Sequence, residues 1–146
     1  MKFQNDAIAP MHTTEHILNQ TMVRMFGCER SKNAHIERRK SKCDYILDTE
    51  PTEEQVREIE AKVNEVIRQD LDVTEEYVLY KEAEQIVDMS KLPDSVGEKL
   101  RLVRVGDYDV CACIGTHVNN TSEIGEFKIT THDYNGNRWR MRFRLL

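Results

Sequence analysis

Two short segments of this chain set metal-ligating side chains at usable spacings: His12-Thr13-Thr14-Glu15-His16 and Cys113-Ile114-Gly115-Thr116-His117. On a helix, residues four apart lie on one face about one turn apart, so His12 and His16 can aim both imidazoles at one ion. Cys113 ends a strand-like run, and Gly115 lets the chain bend so that His117 returns toward the same point. Two or three imidazoles with a thiolate suit zinc in a tetrahedral site. Each segment alone is weak: two histidines four apart arise often by chance, and Cys113 also reads as a buried strand residue with His117 as a satisfied polar group. Zinc proteases place Glu directly after the first His, whereas Thr13 stands there, so Glu15 reads as a helix-surface acid and not as a general base. Cys111 lies two residues before Cys113 and faces the same way on a strand, which makes it the alternative thiolate. Cys28 and Cys43 read as ordinary thiols, and His35 and His132, without partners at ligand spacing, as surface residues.

Helices and strands must carry these groups to one place. A first helix is predicted from about Met11 to Phe26, with Ile17, Leu18, Met22, Met25 and Phe26 as its apolar stripe and Gly27 at its C-terminal cap. Asn33 to Asp48 reads as extended chain, as a hairpin at most. The second helix has the clearest signal: Thr52 and Gln55 fit a capping box, and Val56, Ile59, Val63, Val66 and Ile67 recur at helical spacing up to Arg68. Val73 to Tyr80 reads as a strand and Lys81 to Val87 as a short third helix. After Pro93 the pattern turns to strands: Leu100 to Val105 and Tyr108 to Cys113 around Gly106-Asp107, then Glu126 to Tyr134 and Asn137 to Leu145 around Asn135-Gly136. In the last strand Trp139, Met141, Phe143 and Leu145 alternate with Arg138, Arg140, Arg142 and Arg144, one apolar face against one cationic face. The expected architecture is α+β, an antiparallel sheet with two main helices packed on one face, in a single domain over residues 1–146.

A chain of 146 residues can bury a real core without disulfides. No apolar run approaches the ~20 residues of a membrane span, and Met1 to Pro10 lacks the basic start and apolar centre of a signal peptide. A cytoplasmic protein is expected, with its four cysteines as thiols or metal ligands. The net charge of −5 argues against gripping nucleic acid by bulk electrostatics. Two basic patches nonetheless stand out: Arg30, Lys32, Arg38, Arg39, Lys40 and Lys42 with the single acid Glu37 among them, and the four arginines of the last strand. Each patch is either an RNA-facing surface or a solvated face.

Taken together, His12 to His16, Arg57 to Leu71 (REIEAKVNEVIRQDL), Leu102 to Tyr108 (LVRVGDY) and Cys113 to Ile129 (CIGTHVNNTSEIGEFKI) resemble, in order and spacing, the small free-standing alanyl-tRNA editing proteins of the AlaX type and the editing domain of alanyl-tRNA synthetase. The likeness runs over nearly the whole chain from His12 onward. It implies the second-additional-domain fold of threonyl- and alanyl-tRNA synthetases. It also implies zinc held by His12, His16, Cys113 and His117, the spacing to His117 favouring Cys113 over Cys111. The implied activity is an aminoacyl-tRNA hydrolase that deacylates mischarged tRNA(Ala), Ser-tRNA(Ala) first and Gly-tRNA(Ala) second, with those four residues at the catalytic centre. Thr13 and Thr14 become candidates for sensing the serine hydroxyl, and Lys32, Gly115 and Thr116 for further substrate contacts. Zinc would either lower the pKa of a water or only position the substrate.

The chain also departs from the family. Ile114 stands where the family carries a first glycine, and Ser31-Lys32-Asn33-Ala34 replaces a glutamine- and glycine-containing segment that meets the terminal adenosine. Larger members carry an N-terminal barrel, whereas only a few residues precede His12, so the acceptor stem would be held by less protein. Thr116, where the threonyl editing domain usually has proline, favours the alanine branch. The competing readings are a non-catalytic zinc-containing tRNA-binding module of the same fold, a related hydrolase with another substrate, and a structural zinc domain. Monomer and homodimer stay equally open.

Overall fold

The computed structural model describes residues 8–83, 85–86 and 99–146. Its elements are α1 (Ala9–Phe26), β1 (Asn33–His35), β2 (Ser41–Ile46), α2 (Glu53–Ile67), β3 (Val73–Leu79), α3 (Tyr80–Ala83), β4 (Lys99–Val105), β5 (Asp109–Ala112), β6 (Phe127–Asn135) and β7 (Arg138–Leu145). The fold is α+β with antiparallel pairing throughout, as expected, but the strands divide between two sheets, β1-β2-β7-β6 and β3-β4-β5. Val87, Pro93 and the first seven residues of the Met1 to Pro10 segment lie outside the described residues.

α1 starts two residues earlier than the sequence predicts, with Pro10 in its first turn, where a missing N–H costs nothing. It closes at Gly27, whose N–H bonds Val23 O at 2.9 Å. Ile17, Leu18 and Met22 are wholly buried on its inner face. α2 carries the full capping box, Gln55 N–H to Thr52 Oγ1 at 3.1 Å and Thr52 N–H to Gln55 Oε1 at 2.9 Å. The buried Asn64 ties it to β6 by accepting from Phe127 N–H at 2.8 Å and donating to Phe127 O at 2.9 Å. Unpaired in the core, each of those backbone groups would cost about 1–3 kcal/mol.

The larger sheet shows the period-two pattern read from the last strand. Ser41, Cys43 and Tyr45 face Phe143, Met141 and Trp139 across the β2–β7 ladder, all buried beneath the helices. On the outer face Asp44 opposes Arg140 and receives its guanidinium through two bonds, 2.8 and 2.9 Å, with Asn33 adding a third at 2.8 Å. Arg138 and Arg142 lean on Asp133 at 3.5 and 3.3 Å. The cationic face is therefore largely paired with acids. The β6–β7 turn sits one residue later than Asn135-Gly136 suggests: Asn135 opposes Arg138, leaving Gly136-Asn137 as the loop. Only Gly136 takes a left-handed φ there (68°), the II′ pattern in place of the doubly left-handed I′. A bulge between Ile129 and Thr131 turns His132 inward against Trp139 (ring centroids 5.6 Å apart), so His132 is half-buried and not the surface residue its isolation suggests. Among the described residues no helix is long and apolar enough to cross a membrane.

Hydrogen bonds from Arg140 outweigh burial and hold the Asp44 carboxyl below its ordinary pKa. A depressed native pKa adds stability above the unfolded carboxylate range, and that stability is lost as pH falls through the native value. Asp44→Asn should therefore flatten the acid limb of the urea-midpoint profile between about pH 5 and pH 2 relative to the parent.

Candidate metal centre

α1 presents His12 and His16 on one face, with ring centroids 5.4 Å apart. The chain leaves β5 at Cys113 and loops back to His117, whose ring stacks on His12 at 4.4 Å and meets the edge of His16 at 4.5 Å. Among the described residues, His12, His16, Cys113 and His117 offer ligand atoms that all lie within 4.8 Å of one another. Cys113 Sγ is 3.5 Å from His12 Nε2 and 3.4 Å from His117 Nε2. Tetrahedral coordination at ~2.0–2.3 Å separates nitrogen and sulfur donors by ~3.6 Å, so the spacing suits one ion.

Several contacts hold the loop in this shape. Arg101 Nη1 donates to Cys113 O at 2.9 Å and to Gly115 O at 2.8 Å, while the rest of its guanidinium is bound by Glu75. Gly115 N–H points at Cys113 Sγ from 3.3 Å, a donor suited to a thiolate. A Cβ added at Gly115 would stand 1.9 Å from His12 Cε1, so only glycine lets the loop lie against the imidazole. Thr13 Oγ1 sits 2.9 Å from His117 Nδ1 and accepts from Val118 N–H at 3.2 Å. When Nδ1 donates to that oxygen, Nε2 keeps its lone pair for a metal.

The electrostatics match. Burial lowers the pKa of His12, pushes that of His16 well below its ordinary value and, with His12 adding to it, brings that of His117 down to about 3. All three imidazoles are uncharged at physiological pH, the form in which histidine can ligate a metal. Burial raises the Cys113 thiol pKa, partly offset by the Gly115 N–H, so taking up a metal would release the thiol proton. Cys111 lies outside the quartet, its thiol pushed up to about 11 by burial.

The remaining site residues fall into different places. Thr13 and Thr14 are wholly buried, and Thr14 Oγ1 donates back to Pro10 O at 2.7 Å. Gly115 and Thr116 line a cavity of about 490 Å³ with His117, Glu75, Arg101, Ile114 and Asn119. Lys32 is elsewhere, paired with Glu29 at 2.7 Å on the wall of a larger groove of about 810 Å³ that also takes in Cys28, Asn33 and Arg138. Ile114 is 95% exposed at the cavity rim.

Glu15 corrects the reading as a surface acid: its side chain is 13% exposed, and its carboxylate stands 3.8 Å from His12 Nε2. Sequence reasoning also missed Asp109, wholly buried behind His16 and held by Arg30, which had counted only as one charge in a basic patch. The available signal was an acid at an inward position of a strand, opposite Val105.

Residues 100–142 match the family model described as "Threonyl and Alanyl tRNA synthetase second additional domain". Over that stretch, which runs from β4 into β7, the chain is similar to that domain. Alanine–tRNA ligase of Thermoanaerobacter sp. (strain X514) is 33% identical over 121 residues, covering 82% of this chain and 14% of that protein. The enzyme of Fervidobacterium nodosum is 34% identical over 121 residues, again 82% and 14%, and that of Lactococcus lactis subsp. lactis 32% over 133 residues, 90% and 15%. The chain thus spans about one seventh of the length of these relatives, while they align with most of it.

Because the glycine at 115 leaves no room for a side chain, Gly115→Ala should push the loop off His12. Metal stoichiometry of the purified variant, read by atomic emission, should fall well below that of the parent while far-UV circular dichroism stays unchanged.

Proposed function

We propose that this chain is a zinc-dependent trans-editing hydrolase acting as a single domain in the cytoplasm. Its substrates would be mischarged tRNA(Ala), Ser-tRNA(Ala) foremost and Gly-tRNA(Ala) as well. The observation that carries the reading is the convergence of His12, His16, Cys113 and His117 beside an open cavity, in a chain aligned over most of its length with alanine–tRNA ligases. Imidazoles with a thiolate select zinc over harder divalent ions.

When bound, zinc would supply positive charge at the ester, either to orient the substrate or to make a water more acidic. The protein groups define the rest. Thr116, Asn119 and Glu75 offer polar contacts in a cavity large enough for a small aminoacyl group on a ribose. Arg101, spent on Glu75 and two loop carbonyls, fixes the floor of that cavity. Thr13 keeps the His117 ring turned toward the cluster, and its buried hydroxyl supports this positioning role over direct contact with a serine side chain.

Four protein donors make a closed centre. That feature supports positioning over water activation and also favours the second reading, a zinc-containing module that binds tRNA without turnover.

Deacylation of Ser-tRNA(Ala), with Ala-tRNA(Ala) and the Cys113→Ala variant in parallel, separates the two. Release of serine but not alanine, falling to background in the variant, is the expected result. Stoichiometric zinc with an intact ester would establish the binding module instead.

A further inference from the structure

Behind His16 lies a buried charged assembly that the four-ligand description does not use. His16 Nδ1 is buried and has no hydrogen-bond partner among the described residues, and Asp109 Oδ2 stands 3.7 Å from it. The Asp109 side chain is wholly shielded from solvent. Its Oδ1 receives Arg30 Nη1 at 2.7 Å and Gln20 Nε2 at 3.0 Å, while its Oδ2 receives only Arg30 Nη2, at 3.2 Å. The oxygen with the spare lone pair is thus the one that faces the unpartnered imidazole nitrogen.

From this arrangement we infer that Asp109 is a positioning residue for the metal centre, acting through His16, with Arg30 and Gln20 as its anchors. The inference rests on the metal-binding part of the proposed function, not on hydrolysis. Ligation through Nε2 puts the proton on Nδ1, aimed at Asp109 Oδ2, and a small tilt of the ring closes the gap to hydrogen-bond length. The carboxylate then fixes the tautomer and ring angle of His16 and makes it a better donor. A lone carboxylate at this depth would be costly to bury, and the two-pronged contact from Arg30 compensates it. The same assembly joins α1 and the segment after it to the start of β5, with the orphaned nitrogen on the helix and the carboxylate with capacity to spare on the strand.

The test is metal affinity without RNA, measured with Zn(II) and Co(II) by competition against a chromophoric chelator. Asp109→Asn should weaken binding about 10–100-fold and change the Co(II) visible spectrum, the usual effect of losing such an outer partner. In a His16→Ala background the same change should cost nothing further, since its route to the metal is gone. A purely structural role would lower the thermal midpoint of the metal-free protein and leave both affinity and spectrum alone, which would overturn the inference, as would full additivity in the double variant. If Asp109→Asn does not fold, Arg30→Lys keeps the cation but loses the fork on both oxygens; it should weaken binding several-fold, and an unchanged affinity would overturn the proposal. Ester hydrolysis is not read here, so a failure to deacylate tRNA leaves this outcome standing, and a retained affinity sinks it even if deacylation is observed.

Discussion

The approach of the Cys113–His117 loop to the N-terminal half of α1 is the contact on which the centre depends. Neither partner could make it alone. The helix sets two imidazoles one turn apart, but they face a thiol and a third imidazole only because Arg101 straps the loop and Gly115 removes the atom that would strike His12. The two sheets serve this contact. The β1-β2-β7-β6 sheet shares a core with α1 and α2, while β4 carries Arg101 and the chain leaving β5 brings Cys113 to the helix. Thr13 completes the join from the helix, reaching His117 and the backbone beyond it.

Half of the arginines are paired with acids inside the protein. Arg30 is committed to Asp109, Arg101 to Glu75 and the loop, Arg104 to Glu76 and Arg140 to Asp44. Basic residues counted along the chain therefore overstate what is available to a polyanion. This is sharpest on β7, where the alternation that looks like a cationic face is opposed by Asp44 from β2 and Asp133 from β6. Such exposed or half-exposed pairs add little individual stability, but they align the strands and reduce the pull of the face on phosphates.

Much of the fold was legible because it is written in local chemistry. The Thr52/Gln55 box, the Gly27 stop and the alternation through Trp139, Met141 and Phe143 each state their structure within a few residues. The misreadings came where a distant partner decides. A bulge at residues 129–131 reversed the facing of His132, and Gly136 took the left-handed position for a turn centred one residue later. Glu15 is a different case, a local one: His12 stands one turn before it on α1, and the misreading came from weighing Glu15 only against the zinc-protease pattern. Asp109 and Arg30 stand 79 positions apart, so neither alone carries a sign of the other. The four donors were visible as two spaced pairs, while the outer groups that hold them, Arg101, Gln20 and Asp109, follow no periodicity.

The two halves of the centre are separated by 101 positions between His12 and Cys113. A pairing so remote in the chain is entropically expensive to close and forms only after nearer contacts have shortened the intervening loop. No stretch of the nascent chain before Cys113 holds more than half of the donor set, so a high-affinity site does not exist until the helix and the hairpin have docked. An ion taken up by this quartet would therefore arrive at the end of folding and not at its beginning, after the first helix and the late strands have come together.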